Sequence, residues 1–354
     1  MQGLPGKGRL LLSGYVLGEY MSDITKVALD AMGGDNAPVE VIKGAVDAVN
    51  LNKNIVVYLT GTKEAVDNEL SKYSYPSDRI IPVYSTEIIE TAEPPVMAIR
   101  KKKDSSIVRG LNLVKDGTTD AFVSAGSSGA VLVGGQLLIG RIKGVERPPL
   151  APLIPTSKGV SLLVDCGANV DARPNHLVQF AQMGSVYMEY VLGIKNPKVG
   201  ILNIGAEEDK GNALVKETFP LLKNTPGINF TGSVEARDVI NGDTDVIVCE
   251  AFAGNVCLKM MEGVAKTLLK DVKGAMLSSF TGKIGAALVA PSLKKALKRY
   301  DASEYGGAPL LGLKGLVVKT HGNSKSREIM NSILQCVSFK EGRIADRIRE
   351  QLEK

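Results

Sequence analysis

The stretch VALDAMGGDNAPVEVIKGAVDAV, residues 27–49, sets the fold. Its apolar run 27–31 reads as a short strand, stopped by Met32, Gly33 and Gly34. Apolar residues at 39, 42, 45, 46 and 49 then recur at helical spacing, and Pro38 suits a first helical turn. The same alternation continues. Strands are expected at 55–59, 79–84, 121–124, 161–164, 199–204, 228–231, 246–249 and 316–319, and helices at 63–72, 105–115, 174–192 and 212–222. A small-residue helix is expected after 129, up to 139, and a C-terminal helix over 326–352 with a break near Glu341 and Gly342. Continuous apolar strands alternating with helices predict an α/β fold: three layers, αβα, with a mainly parallel sheet covered on both faces. Length alone, at about 150 residues per domain, allows two domains. No linker, repeat or low-complexity block cuts the chain, so residues 21–354 read as one α/β domain.

The chain has 354 residues, with 38 Gly, two His, four Cys and no Trp. Two His exclude a His-rich metal cluster, and the Cys at 166, 249, 257 and 336 form no C-x-x-C pair. Four scattered Cys read as reduced thiols of a cytosolic protein. No run of about 18 apolar residues exists to span a membrane. Residues 1–20, with no A-x-A cleavage site and a second Met at 21, are read as an expression scar or a spurious upstream start rather than a signal peptide.

Ligands of open α/β sheets bind at the carboxyl ends of strands. The expected tips carry DAMGGDN (30–36), SAGSSG (124–129), DCGAN (165–169), NIG (203–205) and GN (254–255). Each sets Gly beside a small polar side chain, where backbone can approach a ligand and a following helix aims N–H groups at it. That pattern suits an anion, phosphate above all. Any α/β domain also needs Gly, Asn and capping Ser or Asp in its turns, and for a single tip that plainer reading is favoured. Five tips of one chemistry move the balance toward a functional face. A P-loop, a G-x-G-x-x-G fingerprint, a G-x-S-x-G elbow and an EF-hand are all absent. His176 and His321 fit either a general base or a structural role. Cys166 fits a nucleophile or a small buried residue, and Glu250 an acid–base group or solvated surface.

Taken together, these tips resemble the bacterial phosphate acyltransferases of phospholipid synthesis, which act on acyl carrier protein and phosphate. The likeness opens with ALDAMGGDNAP (28–38) and continues through SAGSSGA (124–130), Arg147-Pro148, LVDCGAN (163–169), LNIG (202–205), Glu207-Glu208 and KGN (210–212). It ends with Phe252, GNV (254–256), GGAPLLG (306–312) and His321-Gly322. It covers residues 27 to about 350. Departures are Ser127-Ser128 for the family's Asn-Thr, Glu250-Ala251 for Asp-Gly, and Ala236 for Gly. The resemblance implies a fold like phosphotransacetylases and isocitrate dehydrogenases, and a homodimer. It implies transfer of a fatty acyl group from the carrier's thioester to inorganic phosphate. The acyl phosphate then feeds a glycerol-phosphate acyltransferase at the inner face of the membrane, with which a cytoplasmic enzyme associates peripherally.

Phosphate is itself the nucleophile and a thiol of pKa about 8.5 leaves readily, so no Ser-His-Asp triad is required. Asp30, Asp35, Asn36, His176 and Lys210 are expected to order the site and neutralise charge. Gly33, Gly34, Ser124, Gly126, Ser127, Ser128, Gly129, Asp165, Asn169, Asn203, Gly205, Glu250, Gly254, Asn255 and His321 are expected to hold phosphate and the acyl group. No cofactor, resident metal or nucleic-acid partner is expected, although carboxylates 30, 35 and 165 could meet in space. A phosphotransacetylase acting on acyl-coenzyme A, or a non-catalytic membrane scaffold, are the alternatives.

Residues 271–300 break the alternation. Helical runs at 272–280 and 284–297 flank Thr281-Gly282, giving an excursion over 271–305. Six Lys and Arg against one Asp give the segment +5, the whole net charge of the chain. Leu288 and Val289 beside Lys294, Lys295, Lys298 and Arg299 are expected to touch an anionic membrane. Packing at a dimer interface is the other reading.

Overall fold

The structure is a computed structural model that describes residues 23–353; the expectation for residues 1–20 lies outside them. The first stretch holds β1 (Thr25–Asp30), α1 (Val39–Leu51), β2 (Ile55–Gly61), α2 (Lys63–Leu70), β3 (Ile80–Tyr84), α3 (Pro95–Lys101), α4 (Ser106–Lys115), β4 (Ala121–Ser124) and α5 (Ser128–Gly134). The next holds β5 (Leu153–Thr156), β6 (Gly159–Val164), α6 (Pro174–Tyr190), β7 (Lys198–Asn203), α7 (Ala213–Asn224), β8 (Asn229–Glu235) and β9 (Val246–Val248). Two long helices, α8 (Ala251–Leu277) and α9 (Phe280–Lys298), precede β10 (Ala308–Pro309), β11 (Leu316–Lys319), α10 (Ser326–Glu341) and α11 (Ile344–Leu352).

The strands form two sheets, not the one that the alternation suggested. The orders are β10-β11-β4-β1-β2-β3 and β5-β6-β9-β7-β8. Every pairing is parallel except β10 with β11 and β5 with β6. Both antiparallel additions, β10 and β5, too short to show a pattern, lie at sheet edges. The central strands β4 and β9 are buried throughout, because helices cover both faces.

Local chemistry sets the element ends. Ser105 Oγ accepts from Val108 N–H to cap α4, and Asn212 Oδ1 accepts from Val215 N–H at 2.9 Å to cap α7. The small-residue helix ends as α5 and then a π-turn, Gly135–Ile139. The C-terminal helix breaks at Gly342 and Arg343, where Arg343 adopts a left-handed φ of 48°. The two sheets share packing: Tyr187 of α6 meets Phe339 of α10, ring centroids 5.1 Å apart, and Gln335 Nε2 donates to Tyr187 Oη at 3.0 Å. The helical excursion expected over 271–305 starts at 251, because Glu250 caps α8 there, and its turn falls at Ser278 and Ser279, not at Thr281-Gly282. Past Cys257 neither α8 nor α9 has a buried residue, so the pair protrudes.

Candidate active site

Three neighbouring strands, β1, β4 and β11, end level at Asp30, Ser124 and Lys319. Ser124 Oγ donates to Asp30 Oδ2 at 2.7 Å and accepts from Gly126 N–H at 3.0 Å, while Met32 N–H donates to Asp30 Oδ1 at 3.2 Å. Complete burial raises the Asp30 pKa above the ordinary carboxyl value, against the lowering effect of Ser106, Ser124, Met32 and Lys319. Gly33 is required here by contact. A Cβ there would lie 2.3 Å from Asp30 Oδ2 and 2.6 Å from Gly126 N, so the first and second Gly-rich loops meet backbone to backbone. Gly34 has a φ of +101°, which disfavours side chains.

The first loop is laced to the last. Asp35 N–H donates to Gly322 O at 2.7 Å, and Asn36 Nδ2 donates to Asn323 O at 3.0 Å and Ser324 O at 3.2 Å. This fixes His321 beside the same tips. His321 is exposed, with Nε2 3.3 Å from Glu262 of α8. Lys319 is a residue that sequence reading missed: a Lys closing an apolar strand looks solvated, yet it is 7% exposed.

These tips open onto a cavity of about 900 Å³. Its polar end includes Ser128, Asn255, Lys319 and His321; its apolar walls include Leu132, Ile154, Leu258, Met261 and Leu268. Cys166 also lines it, but burial pushes that thiol and the neighbouring Cys249 well above their ordinary range. The structure thus gives no support to a thiolate nucleophile there. Ser127 is buried and caps α5 by accepting from Ala130 N–H at 3.4 Å. Gly129 packs on Pro95, where a Cβ would come within 2.4 Å of Cγ.

The third tip works differently. Asp165, completely buried, accepts from Leu150 N–H (2.9 Å), Ala168 N–H (3.2 Å), Asn169 N–H (2.8 Å) and Asn169 Nδ2 (2.7 Å). Burial outweighs these donors and raises its pKa to about 6, which leaves it the anion at neutral pH. Asn169 Nδ2 also donates to Pro148 O at 3.0 Å, so its amide nitrogen is occupied internally. Glu250 accepts from Phe252 N–H at 2.6 Å and Ala253 N–H at 2.8 Å as the α8 cap. Gly254 lets α8 rest on β6: a Cβ there would lie 2.0 Å from Asp165 O. These residues build the wall that carries Asn255.

His176 and the β7 tip stand apart from the cavity walls. His176 Nδ1 accepts from Arg173 N–H at 3.0 Å, so its hydrogen sits on Nε2 and points at Glu146 Oε2, 3.0 Å away. It closes the first turn of α6. Asn203 Nδ2 donates to Lys210 O at 3.3 Å and Ser233 Oγ at 3.1 Å, tying up the loop that contains Gly205. Lys210 on that loop is exposed. Among the described residues no group of three or more His, Cys, Asp and Glu could hold a metal ion.

A family model described as "Fatty acid synthesis protein" matches residues 25–347. The phosphate acyltransferase of Clostridium beijerinckii is 50% identical over 327 residues, covering 92% of this chain and 98% of that protein. That of Alkaliphilus oremlandii is 50% identical over 325 residues, covering 92% and 96%. Among solved structures, a phosphotransacetylase from Streptococcus pyogenes aligns with a TM-score of 0.58 at 15% identity, over 90% of this chain and 94% of that one. A phosphotransacetylase from Staphylococcus aureus aligns with 0.57 at 18% identity, over 89% and 93%. The structural likeness establishes the shared α/β fold; the sequence likeness, spanning nearly the whole described chain, goes further. The chain belongs to the phosphate acyltransferase family.

Proposed function

We propose that this enzyme transfers a fatty acyl group from the thioester of acyl carrier protein to inorganic phosphate. The observation that carries this is one continuous cavity, polar where the strand tips and α5 begin and apolar along α8. From Asn255 to Leu269, both lining it, α8 rises about 21 Å, a length suited to a long acyl chain lying beside the helix. In the reaction an oxygen of hydrogen phosphate attacks the thioester carbonyl. The C–O bond forms, the C–S bond breaks, and the proton that phosphate carried ends on the departing thiol. The protein's part is to align the two reactants and stabilise the tetrahedral oxyanion. Ser128 at the α5 N-terminus, the Asn255 amide and His321 line the polar end of the cavity, which supports this role for them, while Asp30, Ser124, Asp165 and Asn169 hold the neighbouring loops.

The carrier is acidic, and exposed Lys210 with the root of α9 offers it positive charge. Phe252, Val256, Met260 and Val264, all exposed at four-residue spacing, make an apolar stripe that supports a homodimer. No helix among the described residues is long and apolar enough to cross a membrane. The exposed apolar residues from the hairpin's turn to the middle of α9, Phe280, Ile284, Leu288 and Val289, support peripheral contact with the inner face of an anionic membrane, the basic cluster lying about 9 Å along α9 from Leu288.

The test is incubation with long-chain acyl carrier protein and phosphate, trapping acyl phosphate with hydroxylamine. Hydroxamate that forms with the loaded carrier only when both enzyme and phosphate are present, above what the thioester itself gives, supports the proposal. Product with acyl-coenzyme A alone indicates a phosphotransacetylase, and no product with either thioester indicates a scaffold.

A further inference from the structure

We propose that Lys319 binds the incoming phosphate, its buried ammonium being the positive charge against which the nucleophile is held at the cavity's polar end. This rests on the acyl-transfer reading above. β11 delivers the side chain between the tips of β4 and β10, opposite Ser124 and Ala308 in register. There it is buried from bulk water yet forms part of the cavity wall with Thr320, His321 and Gly322.

Among the described residues Lys319 makes no ion pair. Its Nζ donates to two backbone carbonyls, Ala125 O at 3.4 Å and Thr320 O. Carbonyls solvate an ammonium without neutralising it, and a buried charge lacking a counter-charge is costly. The acids around it are engaged elsewhere. Asp30 on β1 accepts from Ser124 and Met32, and Glu328 on α10 accepts from His321 N–H at 3.4 Å. Asp35 on the first loop also favours the cation from a distance, and Lys259 on α8 opposes it. Burial prevails over the acids and lowers the ammonium pKa to about 8. An anion entering the cavity completes the missing pair, and three N–H donors on a compact charge suit phosphate oxygens.

The experiment uses the full chain and the variants Lys319→Met and Lys319→Arg, with phosphate varied at saturating carrier protein loaded with a fatty acyl thioester. Lys319→Met should raise the KM for phosphate by at least about tenfold while the KM for the carrier stays unchanged. Lys319→Arg should recover part of that loss. The wild-type KM for phosphate should climb above pH about 8 as the ammonium loses its proton, and that of Lys319→Arg should stay flat. Acetic anhydride labelling of the wild type, read by mass spectrometry, supplies a measurement without turnover or substitution. Inorganic phosphate should protect Lys319 where chloride at equal ionic strength does not. An unchanged phosphate KM in Lys319→Met, or equal labelling with and without phosphate, overturns the proposal. Wild type that forms no acyl phosphate from any thioester defeats the acyl-transfer reading instead, and leaves the phosphate protection of Lys319 to be judged on its own.

Discussion

At the scale of the residue, the third strand tip hangs on Gly254 and Asp165. Replacing Gly254 by Ala forces a methyl group to 2.0 Å from the Asp165 carbonyl oxygen, and backbone on both sides leaves little room to yield. We expect Gly254→Ala to lose about 1–3 kcal/mol of stability, read as a lower urea midpoint. Asp165 predicts a pH dependence. Its pKa is raised on folding, so the folded chain holds the proton more tightly than the unfolded one, and its contribution falls as pH rises from 3.8 to about 6. The stability difference between wild type and Asp165→Asn should therefore shrink over that window, by up to about 3 kcal/mol, and level off above it. A difference that grows with pH would show the anion to be favoured by folding. Sequence reading found Asp165 at a strand tip but not its task, because the donors that surround it come from positions 150, 168 and 169 and only the fold gathers them. Lys319 escaped for a related reason: burial of a charge is a tertiary property, invisible in LVVK.

At the scale of the element, the strand–helix alternation was legible nearly throughout. Ala121–Ser124 and Leu316–Lys319 fall where their apolar runs place them, and α10 stops where Gly342 suggested. Short pieces were not legible: α3 begins at consecutive prolines, and β5 and β10 are held by neighbours rather than by their own pattern. The start of α8 was hidden in Glu250, which reads as a surface acid until its carboxylate is seen on two backbone N–H groups. Two predictions belong to these helices. Met261 is partly buried on the α8 wall of the cavity, so Met261→Trp should obstruct the groove midway. It should cost long-chain acyl carrier protein at least about tenfold in kcat/KM and spare short-chain substrates, since a methylene's worth of apolar contact is worth about 1–3 kcal/mol. For the hairpin, Leu288→Asp with Val289→Asp should abolish co-sedimentation with anionic vesicles; undiminished sedimentation would remove this apolar face of α9 from membrane contact.

At the scale of the whole molecule, local periodicity identifies strands but not their neighbours, which is why two sheets looked like one. The apolar stripe on α8 is the feature of this scale with a direct readout. Met260→Glu with Val264→Glu places charge in the middle of that stripe and should halve the mass found by sedimentation equilibrium. A mass equal to that of the wild type would remove this stripe from any homodimer contact.

The return of β11 to the first sheet also bears on how the chain is made. The strands β5 to β9 are contiguous in sequence, so every strand of their sheet precedes residue 249. The first sheet must wait with β4 uncovered on one side until residues 316–319 arrive and bring Lys319 and His321 with them. Assembly of the pocket is therefore among the last events of synthesis. A chain cut short before residue 316 keeps every strand of the second sheet but lacks Phe339, Ile344 and Ile348 of that sheet's core, and lacks Lys319 and His321 at the polar end of the cavity. Partial products of translation should thus be silent rather than weakly active, which keeps a reactive acyl phosphate from being made by incomplete copies.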